Sequence, residues 1–189
     1  MAKTGIRYCV FGILDEETGT YSEGKYLSPV AAFNGTANAS DVKDYGDDRI
    51  VEMDKSVTGG TLSVELNKDE DDIYVMLLGH TKDEGGEIVY NADDVPPYVG
   101  VGAIGKSGGK WVARFYKKVM FSEPADENST KQESTAFNHV TIEGDIVVME
   151  DGSWKLRKEF ATFALAQAWL NGKVGITTSG QTGQTGQTS

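Results

Sequence analysis

The sequence predicts a mainly antiparallel β fold, built as a β-sandwich or barrel, with one helix inserted mid-chain and a short helix near the C-terminus. Three observations carry this prediction. Glycine occurs 23 times and proline only 4 times, and the glycines separate short apolar runs as they do between strands. Several runs alternate apolar and polar residues, which is typical of a strand with one buried face. Only two segments have the apolar spacing of a helix.

The length of 189 residues suits one domain with a sizeable core. We assign residues 1–175 to that domain. Residues 176–189 form a Gly/Gln/Thr-rich tail with nothing to bury, so we expect the tail to be flexible.

The first part of the chain predicts two paired strands and a loop. An apolar run predicts a strand at 6–14, and the turn-rich segment after it predicts pairing with a second strand at 25–33. Cys9, the only cysteine, lies inside the first run, so we expect it to be buried as a small apolar residue. Residues 34–48 contain turn formers and few large apolar groups, which predicts a long loop.

A hairpin is predicted at 49–67. The chain becomes extended again at Arg49, and after Gly59-Gly60 apolar side chains alternate strictly with polar ones, at Leu62, Val64 and Leu66. The glycine pair between two extended runs indicates the turn of the hairpin.

An amphipathic helix is predicted directly after this hairpin. Asn67 and Glu70 have the spacing of a capping box, and the acidic run 69–72 suits the positive end of the helix dipole. Gly79 supplies the stop signal. We expect His80 to be an ordinary residue at the helix end.

The clearest strand lies at 110–121. Apolar residues follow one face of it, interrupted by Lys117: Trp111, Ala113, Phe115, Val119 and Phe121. The polar segment 122–138 follows, and we expect it to be mobile.

The rest of the chain predicts a further hairpin and the second helix. Residues 140–148 alternate as a strand, with Gly144 as a candidate bulge. Asp151-Gly152 is a hairpin turn signal that leads into a returning strand through Trp154 and Leu156. Residues 159–171 have helical spacing and strong helix formers, and Asn171-Gly172 is the predicted end.

The composition is strongly acidic. Acidic residues number 29 and basic residues 18, which gives a net charge of −11. Tight binding of nucleic acid relies on Lys and Arg that neutralise phosphates, so we expect none, although a protein of this charge can lie close to DNA without holding it. The N-terminal apolar run lacks a cleavage-site pattern, and no apolar stretch reaches membrane-spanning length. We therefore expect a cytoplasm-like compartment and no membrane association.

Residues 100–107 match the Walker A phosphate-binding pattern, with Gly100, Gly105, Lys106 and Ser107 at the required positions. Such a loop needs a buried strand before it and a helix after it. Here a proline pair lies upstream, and a glycine pair and an alternating strand lie downstream. We interpret the match as a glycine-rich hairpin and not as a cofactor site.

No constellation of residues predicts catalysis. His80 and His139 are the only histidines, and neither has a second ligand at metal-binding spacing. The acidic run 69–72 lacks the spacing of a calcium loop, and there is no nucleophile signature. We predict no catalytic residue, no metal and no cofactor, and so a protein that is not an enzyme.

Several short segments occur in an order typical of one protein family. They are YGDD at 45–48, LSVEL at 62–66, LLG at 77–79, PYVGVG at 97–102, FYKKV at 115–119 with FS at 121–122, TIEG at 141–144, and the segment 160–170. In this order they resemble the major tail tube proteins of phages with long non-contractile tails. The resemblance extends over residues 5–174, and the Gly/Gln/Thr-rich tail departs from it.

The resemblance implies a structural protein with a tail-tube-like fold. Its subunits would form six-membered rings that stack into a tube through which DNA passes without specific binding. The implied partners are further copies of the chain and the tape-measure, tail-tip and tail-terminator proteins. The implied location is the virion tail, after assembly in the host cytoplasm.

The channel of such a tube would be lined with carboxylates that repel phosphates. We expect the hairpin at 49–67 to line it, with Glu52, Asp54 and Glu65 as the candidate lumen residues. The alternative is that these three are ordinary solvated strand positions.

Two other functions stay open at this point. One is a monomeric β-sandwich binding module, for example for carbohydrate, with Trp111, Trp154 and Trp169 as stacking platforms, although core packing explains these residues better. The other is a small nucleotide hydrolase that uses the Walker-like segment 100–107.

Overall fold

A computed structural model describes residues 3–27, 29–46, 49–67, 70–124 and 139–176. Its elements, in chain order, are β1 (Lys3–Leu14), β2 (Tyr21–Tyr26), β3 (Val30–Ala39), β4 (Val42–Gly46), β5 (Arg49–Asp54), β6 (Val57–Leu66), α1 (Asp71–Leu78), β7 (Thr81–Lys82), β8 (Ile88–Val89), β9 (Val99–Ser107), β10 (Lys110–Phe121), β11 (Val140–Ile146), β12 (Lys155–Phe160) and α2 (Phe163–Val174). The predicted class, mainly antiparallel β with two helices, is confirmed.

The main sheet folds over on itself around β10. Its strands pair antiparallel in the order β2-β1-β9-β10-β11-β6-β3, and β12 also pairs with β10. The first part of β10 pairs with β12 through Tyr116, whereas its last residues, from Val119, pair with β11. The register against β9 shifts between these two residues. This irregularity lets one strand belong to both halves of the sheet.

Two buried cores result from this arrangement. The first, the sandwich core, lies between the sheet halves and is closed by α1; it includes Phe11, Leu62, Leu77, Val101 and Ile142. The second, the helix core, lies between β1-β9-β10 and α2; it includes Val10, Ile104, Phe115, Ala166 and Leu170. β1, β9 and β10 border both cores and are therefore apolar on both faces. Each large side chain buried in this way stabilises the fold by about 1.5–3 kcal/mol.

The apolar face predicted for residues 110–121 is wrong in one respect. Ala113 and Phe115 face the helix core, but Val119 and Phe121 face the sandwich core. The irregularity after Tyr116 reverses the alternation, so both faces of the strand are used. The boundaries of the strand are those predicted.

The predictions for residues 25–67 need the largest correction. The predicted second strand is divided, since β2 pairs with β1 and β3 pairs with β6. The predicted loop at 34–48 is wrong, because β3 and β4 occupy most of it. The predicted hairpin at 49–67 is also wrong: β5 pairs with β4, and β6 runs unbroken through Gly59-Gly60.

Both helices are confirmed, with shifted boundaries. α1 begins at Asp71, so the capping box predicted for Asn67 and Glu70 is wrong: Glu70 precedes the helix and makes no side-chain cap. The helix ends at Gly79 (φ 77°) as predicted. α2 begins four residues later than predicted, after Thr162, and continues to Gly175 (φ 73°). The earlier residues belong to β12 instead. Glycine at both ends adopts the left-handed conformation that closes a helix at no steric cost.

Three smaller predictions have mixed outcomes. Cys9 is buried as predicted, with 1% of its surface exposed. Gly144 lies in regular register and forms no bulge; a side chain there would meet the carbonyl oxygen of Met120 at 2.9 Å. The chain turns at Asp151-Gly152 as predicted, but β12 pairs with β10 and not with β11. Of the segments predicted to be mobile at 122–138 and flexible at 176–189, residues 125–138 and 177–189 lie outside the described residues. The first residue of the predicted tail has something to bury, since Ile176 packs against the helix core.

Candidate interaction surfaces

The three predicted lumen residues do not lie on one hairpin. Glu52 and Asp54 are on β5, which pairs only with β4 among the described strands. Glu65 is on β6, between Ala32 of β3 and Thr141 of β11. The side chains of residues 44–54 lie outside the described part of the molecule, so the orientation of the first two carboxylates stays a prediction. Glu65 can be placed, on the outward side of the folded sheet.

An acidic face surrounds Glu65. The outward positions of β6 and β11 alternate with buried ones, and cross-strand pairing places Glu143 beside Ser63 and Asp145 beside Thr61. On β3 the neighbours are Asn34 and Thr36. We call this surface the acidic face; it consists of Asn34, Thr36, Thr61, Ser63, Glu65, Thr141, Glu143 and Asp145. None of these residues is Lys or Arg, and the uncharged members are short.

Glu143 and Asp145 were not among the predicted lumen residues, although a local signal for them exists. Thr141, Glu143 and Asp145 alternate with the buried residues Ile142 and Ile146, which is the pattern of a strand with one wet face. The pattern does not identify the partner strand, because the pairing of β11 with β6 joins residues far apart in the chain.

The edges of the folded sheet differ in their side chains. β3 ends the strand order and has one unpaired edge among the described residues. It is ten residues long, VAAFNGTANA, with no charge and no proline, the usual devices that keep an edge from pairing with another chain. β12, in contrast, carries KLRKEF and is protected by charge. The β3 edge is therefore better suited than the β12 edge to pairing with a further strand.

A two-stranded arm continues from β3 and β6. Ser40 donates its backbone N–H to the carbonyl of Ser56 at 2.8 Å, and β4 and β5 extend beyond this bond. We call residues 41–55 the arm. In the described part of the chain, β4 and β5 have no substantial contact with any other element. An isolated hairpin is marginally stable in water, so the arm would gain stability from a second surface.

A basic groove opens beside β3. It has a volume of about 480 Å³, and its walls include Phe33, Lys106, Arg114, Tyr116 and Lys155. The Lys155 ammonium lies 4.8 Å from the centroid of the Tyr116 ring, within cation–π range. Within the described ranges, neither Arg114 nor Lys155 forms an ion pair. We call this cavity the basic groove.

The Walker-like residues are part of a strand and not of a loop. Gly100, Gly105, Lys106 and Ser107 all belong to β9, which turns at Gly108-Gly109 into β10, as the interpretation as a hairpin requires. Close packing explains the glycines of this strand. A side chain at position 100 would lie 2.4 Å from the Tyr21 ring. A side chain at Gly102 would lie 2.6 Å from Leu170. Lys106 lies 5.7 Å from the centroid of Trp111.

An acidic hairpin lies near the start of β9, at the end of the strand opposite to the turn at Gly108-Gly109. β7 and β8 pair around the turn DEGGE at 83–87, in which Asp83 accepts the backbone N–H of Glu87 at 2.8 Å. Glu84 and Glu87 are exposed, and neither forms an ion pair with a described residue. We call residues 81–89 the acidic hairpin. Apolar side chains lie exposed nearby, at Val89 (42% exposed) and Val95 (74%).

His80 is a buried histidine between two carboxylates, and not the ordinary helix-end residue that we predicted. Its Nδ1 lies 2.8 Å from Asp94 and its Nε2 lies 2.9 Å from Glu123, while its ring packs 4.3 Å from the Tyr90 ring centroid. Burial opposes the charged imidazolium, but the hydrogen bonds to Asp94 and Glu123 outweigh burial and raise the pKa of His80. Hydrogen bonds from the backbone N–H of Asn91 and from the imidazole of His80 lower the pKa of Asp94.

The two carboxylates beside His80 lie on opposite ring nitrogens and do not converge on one point. Across the described residues, no group of three His, Cys, Asp or Glu side chains is arranged to hold a metal ion. His139 is exposed at the start of β11. Over the same ranges, no helix is both long and apolar enough to cross a membrane.

The three tryptophans are partly buried and pack against the cores. Trp154 contacts the sandwich core, and Trp111 and Trp169 contact the helix core. Trp111 and Trp169 border the same core, whereas Trp154 packs on the other core, so the three do not form one stacking platform.

Comparison with known proteins places the chain in no family. No protein-family model matches it, and no curated protein matches it.

Proposed function

We propose that this protein is a structural subunit of a phage tail tube, which assembles into stacked, six-membered rings around a channel for DNA. The observation that carries the proposal is the acidic face next to the open edge of β3. The proposal also draws on the resemblance of the sequence to major tail tube proteins of phages with long non-contractile tails.

The acidic face has the chemistry that a DNA channel needs. Glu65, Glu143 and Asp145 present carboxylates on one sheet surface without a cation among them. Such a surface repels phosphates and lets DNA slide, because binding to DNA depends on Lys and Arg that release counterions. The short polar residues between the carboxylates keep the surface even. We therefore assign this face, in place of the hairpin at 49–67, to the lumen.

The open edge supplies a way to close a ring. A strand of the neighbouring subunit would pair with the last residues of β3, 37–39, because the basic groove runs along residues 31–36 of that strand, and it would extend the sheet that bears the acidic face. Such a contact joins two different surfaces and is heterologous, so it closes into a ring when the rotation permits. The arm, which has no third strand among the described residues, gains a surface to pack on in the same assembly.

The test compares tubes of the wild-type protein with tubes of a triple variant, Glu65→Lys, Glu143→Lys and Asp145→Lys. Each tube sample is mixed with linear DNA and sedimented, and the DNA in the pellet is measured. We expect both proteins to assemble, and we expect only the variant to retain DNA, because its lumen would carry cations.

A matched control changes the charge equally at exposed acids away from this face: Glu17→Lys, Asp93→Lys and Glu150→Lys. Equal retention of DNA by the control and the variant would show an effect of net charge and would contradict the lumen assignment. Absence of rings and tubes in the wild-type sample, even after addition to a tail-tip complex, would contradict the tube itself. A wild-type monomer that binds a glycan would favour the binding-module alternative.

A further inference from the structure

The basic groove and the acidic hairpin lie at opposite ends of the molecule. β9 begins at Val99, directly after the segment that contains the hairpin, and ends at Gly105 to Ser107, where Gly105 and Lys106 line the groove. The six to eight residue steps from Val99 to this end of β9 span roughly 20–26 Å at about 3.3 Å per residue. His80, which directly precedes the hairpin, lies 2.9 Å from Glu123, just beyond the end of β10 that pairs with the start of β9. A contact between them must therefore join two copies of the chain.

The two surfaces are complementary in charge. The groove presents Arg114 and Lys155 on a protein whose net charge is −11, and Arg157 stands opposite Arg114 on β12. The hairpin presents Glu84 and Glu87 with no cation of its own paired to them among the described residues. Charges that are left without partners within one copy can be paired between copies.

The two surfaces are also complementary in size and polarity. The groove of about 480 Å³ has the volume of a small binding pocket, which suits a tight turn and not a folded domain. Its apolar wall includes Ile6 and Phe33, and the hairpin is followed by the exposed apolar side chains of Val89 and Val95. Desolvation of apolar side chains beside the charge pairs would strengthen the contact.

We propose that the acidic hairpin of one copy docks into the basic groove of the next copy, with Glu84 and Glu87 paired to Arg114 and Lys155. The contact is heterologous and leaves a free hairpin at one end and a free groove at the other, so it propagates in a line. Resting on the proposed function, this is the contact between successive rings of the tube.

The first experiment reverses the charges on each side. One variant carries Glu84→Lys and Glu87→Lys, the second carries Arg114→Glu and Lys155→Glu, and the third carries all four changes. Assembly is followed by sedimentation and by negative-stain electron microscopy. We expect each two-site variant to raise the protein concentration needed for stacking by about tenfold or more, and the four-site variant to recover it.

Controls keep this result specific. Asp93→Lys and Lys158→Glu change exposed charges outside the two surfaces and should stack like the wild type. Circular dichroism checks that each variant folds, and Arg114→Gln with Lys155→Gln replaces the groove variant if the reversal disturbs β10. Unchanged stacking by the two-site variants, or no recovery in the four-site variant, would overturn the proposal.

A second experiment separates this contact from ring formation. Glu84→Cys and Lys155→Cys are introduced into different samples, which are mixed and treated with a short bismaleimide. Cys9 is buried and should not react. We expect a cross-linked dimer from this pair and none from Glu84→Cys with Lys158→Cys.

The cross-link gives distinguishable failures. Dimers without any rings would leave the contact standing and contradict the ring proposal, while rings without cross-links would contradict the contact alone. Protection of Lys155→Cys from maleimide by single-stranded DNA, with no cross-linking to Glu84→Cys, would make the groove a nucleic-acid site and overturn the proposal.

Discussion

His80 lies in an environment quite different from that of an isolated side chain, because it is buried between two carboxylates. It joins three segments at the hairpin end of the molecule: the end of α1, the loop at Asp94, and the residues after β10 at Glu123. With both ring nitrogens hydrogen-bonded to carboxylates, the imidazolium is the form that satisfies both partners. The pKa of His80 is accordingly raised, and the protonation of His80 is coupled to the stability of this end of the fold.

We predict that His80→Gln lowers stability more at about pH 6 than at about pH 9. A raised pKa in the folded state stabilises the protein fully below the ordinary value of 6.5, and this stabilisation is lost as the pH rises through the folded value. The lowered pKa of Asp94 acts at the other end of the range, where its contribution is lost only as the pH falls through the folded value, below 3.8. Urea denaturation at the two pH values measures the difference. A similar loss for His80→Gln at both pH values would contradict the assignment.

Gly60 shows why a glycine inside a strand need not mark a turn. A side chain there would lie 2.3 Å from the carbonyl oxygen of Thr36 on β3, so the absence of one allows β3 and β6 to approach. The sequence pattern of Gly59-Gly60 predicted a turn because glycine at a turn and glycine at a close contact look the same in a single sequence. Only the position of β3 distinguishes them.

We predict that Gly60→Ala lowers the free energy of unfolding by about 1–3 kcal/mol, because the backbone of β3 must shift. Gly172→Ala is the matched control: it lies within α2 with no neighbouring atom within 4 Å of the added carbon. That change should raise stability by about 0.5–1 kcal/mol through helix propensity. Thermal denaturation compares the two, and a loss at Gly172 equal to that at Gly60 would contradict the packing argument.

At the scale of elements, the sequence predicted those with strong local patterns. The boundaries of β10 and the end of α1 agree with prediction, because a run of apolar residues and a stop glycine are properties of adjacent residues. The N-terminus of α2 was misplaced because residues 155–160 pair with β10, and that partner overrides their local preference. Residues 34–48 were taken for a loop for the same reason, since pairing with distant strands and not apolar content makes them extended.

The candidate surfaces were predicted less well than the fold. Glu65 was identified by its place on an alternating strand, but Glu143 and Asp145 join it only through the pairing of β11 with β6. The basic groove combines residues from β1, β3, β9, β10 and β12, and no local pattern contains it. A short segment of sequence does not show which distant strand it pairs with, so it cannot predict a surface that depends on that pairing.

In the proposed assembly, the arm is the element that would gain most from a neighbouring subunit, because β4 and β5 have no substantial contact with any other described element. We predict that replacing residues 41–55 with an Asn-Gly turn leaves the melting temperature close to that of the wild type, because the arm packs mainly on itself. The same change should abolish rings and tubes, since the arm would lose its role as a contact with a neighbouring subunit. Calorimetry and electron microscopy provide the two measurements. A variant that still assembles fully would show that the arm has no part in the contacts.

At the scale of the whole molecule, the two ends of the fold carry different features. The arm and the basic groove lie toward one end, and α1, the His80 contacts and the acidic hairpin lie toward the other. The acidic face runs along one side, parallel to β6 and β11. A subunit with distinct ends, one even acidic side and an open edge at β3 is suited to a stacked, hollow assembly.

Electron microscopy of the purified protein over a series of concentrations, with light scattering on the same samples, would show whether the chain forms a tube. We predict rings or tubes with a central channel, and averaged images in which the acidic face borders that channel. A protein that stays monomeric at every concentration, and also fails to add to a tail-tip complex, would contradict the tail-tube proposal.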